Sequence, residues 1–282
     1  MLPDPVLTWL SQNGFGVVKS SRPVAGGCIN NGAVLKTESG RTFFLKTNRR
    51  APADMFEREA QGLEALAVDG GPRVPLPYLY GENFLLLEDL APAPRRAGYW
   101  VEFGRQLAVL HGHTGDRFGF PHDNYIGSTP QPNTPNADGY DFFAERRLLY
   151  MAGLARQAGL LNPEQFRRVE RMAARLPDLV PGGLPSLIHG DLWSGNATTD
   201  SFGEPALIDP AAHYGWAEAE LAMTALFGPF PFEFYRSYEE ARPFEPGYRE
   251  RFPIYNLYHL LNHLVLFGTG YLGDVLEILH DF

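Results

Sequence analysis

Residues 189–196 read His-Gly-Asp-Leu-Trp-Ser-Gly-Asn, and a second acid, Asp209, closes the apolar run Pro205-Ala206-Leu207-Ile208. The pattern predicts a strand over 186–188, a tight polar loop, a short strand over 197–199, a turn and a returning strand. Asp191 and Asn196 then sit on one loop, and a hairpin brings Asp209 back beside Asn196. An amide oxygen and a carboxylate held together suit Mg²⁺, which takes hard oxygen ligands and keeps water and substrate phosphates as the rest. The spare carboxylate of Asp191 is placed to take a proton from a hydroxyl attacking the γ-phosphate of ATP. Gly, Asp and Asn also populate ordinary turns. The loop therefore carries this reading only together with Asp209 and with partners upstream.

The loop resembles the catalytic loop of protein-kinase-like phosphotransferases, with His-Gly-Asp in place of His-Arg-Asp. Such a site needs a lysine on a strand and a glutamate on the following helix. Lys46 ends the strand-like run Phe43-Phe44-Leu45-Lys46, where alternation puts it on the face of Phe44 and opposite Phe43 and Leu45. A helix is predicted over 53–68, with an apolar stripe of Phe56, Ala60, Leu63, Leu66 and Ala67. Glu57 shares a face with Gln61 and Glu64, a solvent-like face. Glu59 lies three residues after Phe56 and four before Leu63, on the core side. A carboxylate buried there requires a cation, and Lys46 is the expected partner.

Upstream of Lys46, the stretch Ala25-Gly26-Gly27-Cys28-Ile29-Asn30-Asn31-Gly32 is a glycine-rich bend between strand-like runs. Without side chains, such a bend lets backbone N–H groups approach phosphates. Downstream, short strands around 73–80 and 84–87 end in Glu88-Asp89-Leu90 and the proline-rich connector 91–96. In a kinase, residues 88–90 would be the hinge whose backbone reads the adenine edge. From Tyr99 onward the periodicity is helical, interrupted by a long polar stretch over 114–139. The expected architecture is α+β and bilobal, a protein-kinase-like fold. A small antiparallel-sheet lobe over 1–88 binds nucleotide, and a larger, mostly helical lobe over 89–282 carries catalysis and substrate.

Composition narrows the function. A net charge of −9 argues against a nucleic-acid surface. The single cysteine, Cys28, excludes a disulfide framework or a cysteine-rich metal site. No basic-then-apolar leader begins the chain, and the most apolar segment, 257–272, is too interrupted and short to span a bilayer. A cytoplasmic protein is expected.

At the level of family, the chain resembles the fructosamine kinases (ketosamine 3-kinases), relatives of aminoglycoside and choline phosphotransferases. The resemblance rests on Gly26 to Asn30, Met55 to Ala60, His189 to Asn196 with Trp193, and Leu207-Ile208-Asp209-Pro210. Residues 218–223 and Leu261-Asn262-His263 extend it. Ala25 departs where a third glycine is common, and Glu220 where aspartate is usual.

The resemblance implies ATP- and Mg²⁺-dependent phosphorylation of the sugar third-carbon hydroxyl of ketoamines, whose product decomposes and frees the amine. Asp191 is then the base, Asn196 and Asp209 the metal ligands, Lys46 the phosphate-binding group and Glu59 its orienter. Two other readings share these parts: a kinase of another small acceptor, and a nucleotide-binding pseudokinase. Trp193 reads either as a plug under the loop or as a platform beside the sugar, with His263 as its partner. Cys28 reads either as a small core residue or as an oxidation-sensitive thiol able to link a homodimer.

Overall fold

The computed structural model describes residues 2–24 and 30–282. Gly26, Gly27 and Cys28 of the expected phosphate loop, and with them the thiol-linked dimer, lie outside the described residues. Asn30 is described, and its Oδ1 accepts a hydrogen bond from Asn48 Nδ2 at 3.1 Å.

Helix α1 (Asp4–Gln12) precedes β1 (Val18–Val24), β2 (Asn31–Thr37) and β3 (Thr42–Thr47). Next come helix α2 (Met55–Leu66), β4 (Pro77–Gly81) and β5 (Phe84–Glu88). The strands form one antiparallel sheet in the order β1-β2-β3-β5-β4. Alternation divides its faces. Leu35, Phe43, Leu45, Phe84 and Leu86 pack with Val6 and Leu10 of α1 into a small core. Leu85, Leu87 and Phe44 turn the other way, toward the main core. Lys46 stands opposite Leu85 in the register and shares that second face. Helix α2 buries Phe56, Ala60, Leu63 and Leu66 of the predicted stripe, whereas Ala67 falls at the C-cap, where the helix has ended, and is exposed.

The second region begins with α3 (Tyr99–Gly112). The long polar connection that follows contains a hairpin that periodicity alone does not show, β6 (Asn124–Ile126) with β7 (Thr129–Gln131). Helices α4 (Gly139–Phe143) and α5 (Tyr150–Gln157) are joined by a π-helical turn over Ala144–Leu149, so this helical stretch is locally unwound. Helix α6 (Pro163–Ala174) starts at a capping box in which Asn162 and Gln165 satisfy each other's backbone N–H groups. A short α7 (Leu176–Leu179) leads to β8 (Ser186–Ile188), β9 (Ala197–Thr199), β10 (Pro205–Leu207) and β11 (His213–Gly215). Strand β11, also unforeseen, pairs antiparallel with β8.

Four helices complete the chain: α8 (Ala217–Leu226), α9 (Phe232–Ala241), α10 (Tyr248–Phe267) and α11 (Leu272–Asp281). Gly104 lets α3 press on α9, because a Cβ there would meet the Phe234 carbonyl and Ser237 Oγ. Helix α10 is buried on most of its surface from Phe252 to Leu264, with Asn256, His259 and Asn262 buried among its apolar residues. No helix among the described residues is long and apolar enough to cross a membrane.

Several ties join the regions, among them the Leu207 N–H bond to the Arg73 carbonyl at 2.7 Å. The Tyr125 hydroxyl on β6 donates to Asp54 at the start of α2, at 2.6 Å. The connector after β5 is also anchored: Ala93 N–H bonds the Asp200 carbonyl at 3.0 Å, and Thr199 Oγ1 bonds the Ala93 carbonyl at 2.6 Å.

Candidate active site

The loop between β8 and β9 carries Asp191 at its turn. Gly190 has φ of +84°, and a Cβ there would run into the Ala211 carbonyl, so the position excludes a side chain. His189 is buried. Its Nε2 lies 2.8 Å from the Ile208 carbonyl, and its Nδ1 accepts the Asp191 N–H at 3.2 Å. These bonds specify a neutral ring protonated on Nε2, and burial holds its pKa below the ordinary histidine value. Asn196 Nδ2 donates to the Asp191 carbonyl at 2.8 Å and to its Oδ2 at 3.1 Å, closing the loop on itself. Desolvation pushes the Asp191 carboxyl well above the usual range. The Asn196 bond opposes that shift, and the charges of Asp209 and Glu220 add to it.

From α8, Glu220 reaches under this loop. Its Oε1 accepts Gly190 N–H at 2.7 Å, and its Oε2 accepts His189 N–H at 3.0 Å. His111 Nε2 lies 3.0 Å from Oε2, while His111 Nδ1 is 2.8 Å from the Tyr238 hydroxyl. Burial would raise the Glu220 pKa, but the hydrogen bonds donated by the His111 ring and the His189 backbone outweigh it and hold the carboxylate ionised. Burial likewise lowers the His111 pKa, so the pair is a neutral imidazole donating to an anion. Arg242 donates to the His111 carbonyl at 2.6 Å and fixes the far side.

The β9–β10 hairpin returns the chain as its pattern predicts. Leu207 pairs with Ala197, and Ile208 N–H bonds the Asn196 carbonyl at 3.1 Å. Asp209 follows with φ of +58°, a left-handed conformation unusual for a residue with a side chain. Its carboxylate pairs with Lys46 Nζ, which also meets Glu59 Oε1 at 2.5 Å. The structure thus brings Lys46, Glu59 and Asp209 together, whereas Glu57 accepts from Gln61 instead. Burial disfavours charge on Lys46, yet the two carboxylates outweigh it and raise the ammonium pKa. Burial pushes Glu59 upward against the pull of Lys46. The Asn196 amide nitrogen donates to Asp191, so its oxygen remains an acceptor, and the Ile208 N–H bond to the Asn196 carbonyl ties the strand end that carries the part-exposed Asp209 to the same loop. One amide oxygen and one carboxylate are a donor set for a hard cation that completes its shell with water and phosphate oxygens.

Beyond Asp191, Trp193 is half-buried, and its indole folds back over Gly195. The Trp193 ring meets Phe227 edge-on at 6.1 Å, and Phe227 lies 4.7 Å from the His263 ring. His263 also neighbours Tyr271 at 5.1 Å, and its Nδ1 bonds the His259 carbonyl at 2.8 Å. Trp193 and His263 therefore belong to one aromatic strip bridged by Phe227. At the predicted hinge, the Glu88 side chain pairs with Arg73, Asp89 accepts from Ala91 N–H at 3.0 Å, and Leu90 is buried.

A family profile described as fructosamine kinase matches residues 6–282. The chain belongs to that family. It is 43% identical over 267 residues to a Synechocystis protein named probable ketoamine kinase, covering 93% of this chain and 90% of the relative. It is 39% identical over 293 residues to the chloroplastic protein-ribulosamine 3-kinase of Arabidopsis thaliana, covering 100% of this chain and 88% of the relative. A crystal structure ascribed to a fructosamine-3-kinase of Thermobifida fusca superposes with a TM-score of 0.89 at 32% identity, covering 99% and 98% of the two chains. An ADP-bound aminoglycoside phosphotransferase shares the kinase-like fold at a TM-score of 0.62 and 13% identity, covering 99% and 97%. As a member of this family the chain is an ATP-dependent phosphotransferase acting on a hydroxyl group.

In this fructosamine kinase, sequence reasoning reached the groups on the loop, β3, α2 and β10 but missed those that hold them. Glu220 stood out only as a departure from the usual aspartate, and nothing local tied it to the loop thirty residues earlier. His111, Phe227 and the β6–β7 hairpin gave no chemical signal of their own. A buried-face glutamate in the first turn of α8 was the one clue available.

Proposed function

We propose that this kinase transfers the γ-phosphoryl group of ATP to the third-carbon hydroxyl of ketoamines formed by sugars on amines, with decomposition of the product freeing the amine. What carries the reading is end-to-end similarity to a relative named protein-ribulosamine 3-kinase. The hydroxyl oxygen bonds to the γ-phosphorus, the bond from that phosphorus to the β-bridging oxygen breaks, and ADP leaves. Asp191 accepts the hydroxyl proton, and its desolvated, high-pKa carboxyl makes it a stronger base than a solvated aspartate. Asn196 and Asp209 would hold Mg²⁺, which when bound neutralises charge on the phosphates. Lys46 exchanges its contact with Asp209 for phosphate oxygens while Glu59 keeps it oriented. Residues 1–88, with Gly26, Gly27, Cys28 and Asn30 at the phosphates and residues 88–90 at the adenine, form the nucleotide lobe. Residues 89–282 form the catalytic lobe, where Trp193 and His263 face the acceptor.

The test is steady-state kinetics with ATP, Mg²⁺ and ribulose-lysine or fructose-lysine. Asp191→Asn should keep nucleotide affinity and lose at least about a hundredfold in kcat, the lower limit of what a positioned base contributes. Asp209→Ala should raise the Mg²⁺ and ATP requirement. Near-parent turnover in Asp191→Asn refutes the base. Activity on an aminoglycoside or choline with none on any ketoamine refutes the substrate class.

A further inference from the structure

Behind the segment that follows Asp209 lies a buried polar cluster with no part in the chemistry described above. Arg147, in the π-helical turn, is 1% exposed and makes no ion pair among the described residues. Its guanidinium lies over the Phe142 ring at 4.6 Å and donates to the Pro132 carbonyl and to Asn133 Oδ1, each at 2.7 Å. A guanidinium can only donate, so Asn133 must present its oxygen to it. The orientation of every later amide follows. Asn133 Nδ2 donates to Asn124 Oδ1 at 2.8 Å, and Asn124 Nδ2 donates to the Ala212 carbonyl at 2.8 Å. A second branch starts at the Tyr258 hydroxyl, which donates to Gln131 Oε1 at 2.5 Å. Gln131 Nε2 then donates to Asn124 Oδ1 at 2.7 Å and to the Ala211 carbonyl at 3.1 Å.

Both branches end on consecutive carbonyls, two and three residues after Asp209. That stretch is where positional control is needed. Asp209 holds a left-handed backbone, a conformation that persists only where its surroundings over-determine it. On its other side, the Ala211 N–H bonds the His189 carbonyl at 2.9 Å, so the same residue ties the segment after Asp209 to the Asp191 loop. Apolar residues in place of these amides would leave the two carbonyls without the relay's donors. A buried cation at the head polarises each amide in one direction and strengthens the next donor.

We propose that Arg147, Asn133, Asn124 and Gln131 are positioning residues for the metal-ligating aspartate, a one-way donor relay from a buried cation to the carbonyls of Ala211 and Ala212. This rests on Asp209 being the cation ligand. The relay makes the β6–β7 hairpin, which carries Asn124 and Gln131, part of the catalytic apparatus without touching substrate.

Asn124→Asp is isosteric and keeps both acceptor bonds, but it replaces the donor facing the Ala212 carbonyl with an oxygen. Tyr258→Phe is the milder second variant and removes only the hydroxyl that orients Gln131. Each is compared with the parent by thermal melting, hydrogen exchange of the nucleotide-free protein, and kinetics against Mg²⁺ and ketoamine separately. The expected result is faster exchange confined to residues 207–213. It should come with a rise of about tenfold or more in the Mg²⁺ concentration for half-maximal rate, as for loss of a partner that orients a metal ligand. KM for the ketoamine should stay near the parent value. Parent-like exchange in whichever variant folds overturns the relay. Faster exchange with unaltered Mg²⁺ dependence overturns its role at the metal aspartate. Asp209→Ala, measured alongside, separates that outcome from failure of the Asp209 assignment, because it too would then leave Mg²⁺ dependence unchanged.

Discussion

Replacing Glu220 with glutamine removes one charge and one acceptor from beneath the catalytic loop. Three donors converge on this carboxylate: Gly190 N–H on Oε1, and His189 N–H and His111 Nε2–H on Oε2. If the new amide nitrogen takes the Oε2 position, His111 can adapt by moving its proton to Nδ1, since the Tyr238 hydroxyl can then accept. The His189 N–H cannot adapt and is left facing a donor. If the nitrogen takes the Oε1 position, the Gly190 N–H is orphaned instead. Either way one buried backbone donor goes unsatisfied, at about 1–3 kcal/mol. The surviving bonds lose their charge assistance, about 1 kcal/mol more. A total near 3 kcal/mol corresponds to a fall in Tm of about 5 °C for a chain of this size. The loop that loses its anchor carries Asp191, the proposed base, and displacement of such a group by about 1 Å can cost roughly a hundredfold in rate. The expected signature is thus a lower Tm with kcat reduced about a hundredfold and little change in KM for ATP. Glu220→Asp keeps the charge but is one methylene shorter, and should fall between. Thermal melts and saturating kinetics of both variants check this. A Glu220→Gln enzyme with parent Tm and parent kcat would show that the carboxylate does not hold the loop.

Acid should destabilise the fold from an unusually high pH. Burial keeps His111, His189, His213 and His259 below the ordinary value of 6.5, His259 down to about 3. Below about pH 6.5 the unfolded chain therefore binds more protons than the native one, and stability drops as pH falls. At pH 5 each such histidine removes up to about 2 kcal/mol, so urea midpoints should fall steeply between pH 7 and pH 5; a flat profile would contradict neutral burial. Glu220, held below the usual carboxylate range, extends the loss below about pH 4.5. At the proposed acceptor strip, Trp193→Ala and His263→Ala should each raise the ketoamine KM about tenfold through loss of aromatic contact, while ATP affinity and folding persist. Unaltered acceptor kinetics in both folded variants would remove the strip from the substrate site.

Much of the candidate site was legible along the chain because short-range periodicity encodes which face of an element is buried. Lys46 alternates with Phe43 and Leu45, and Glu59 keeps helical step with Phe56 and Leu63. Those two facts predict a buried carboxylate facing a strand lysine, and the two side chains meet at 2.5 Å. Asn196 and Asp209 were likewise bound to converge once a hairpin was inferred between them. Tertiary structure alone decided that Lys46 also pairs with Asp209, and that Glu220 holds the loop from another helix. It also folded a hairpin out of a polar stretch and turned its amides inward onto Ala211 and Ala212. Polar residues such as Asn124, Gln131 and Glu220 carry no local mark of their partner. A hydrogen bond is set by a few tenths of an ångström between segments far apart in sequence, and that distance exists only after the apolar faces have packed.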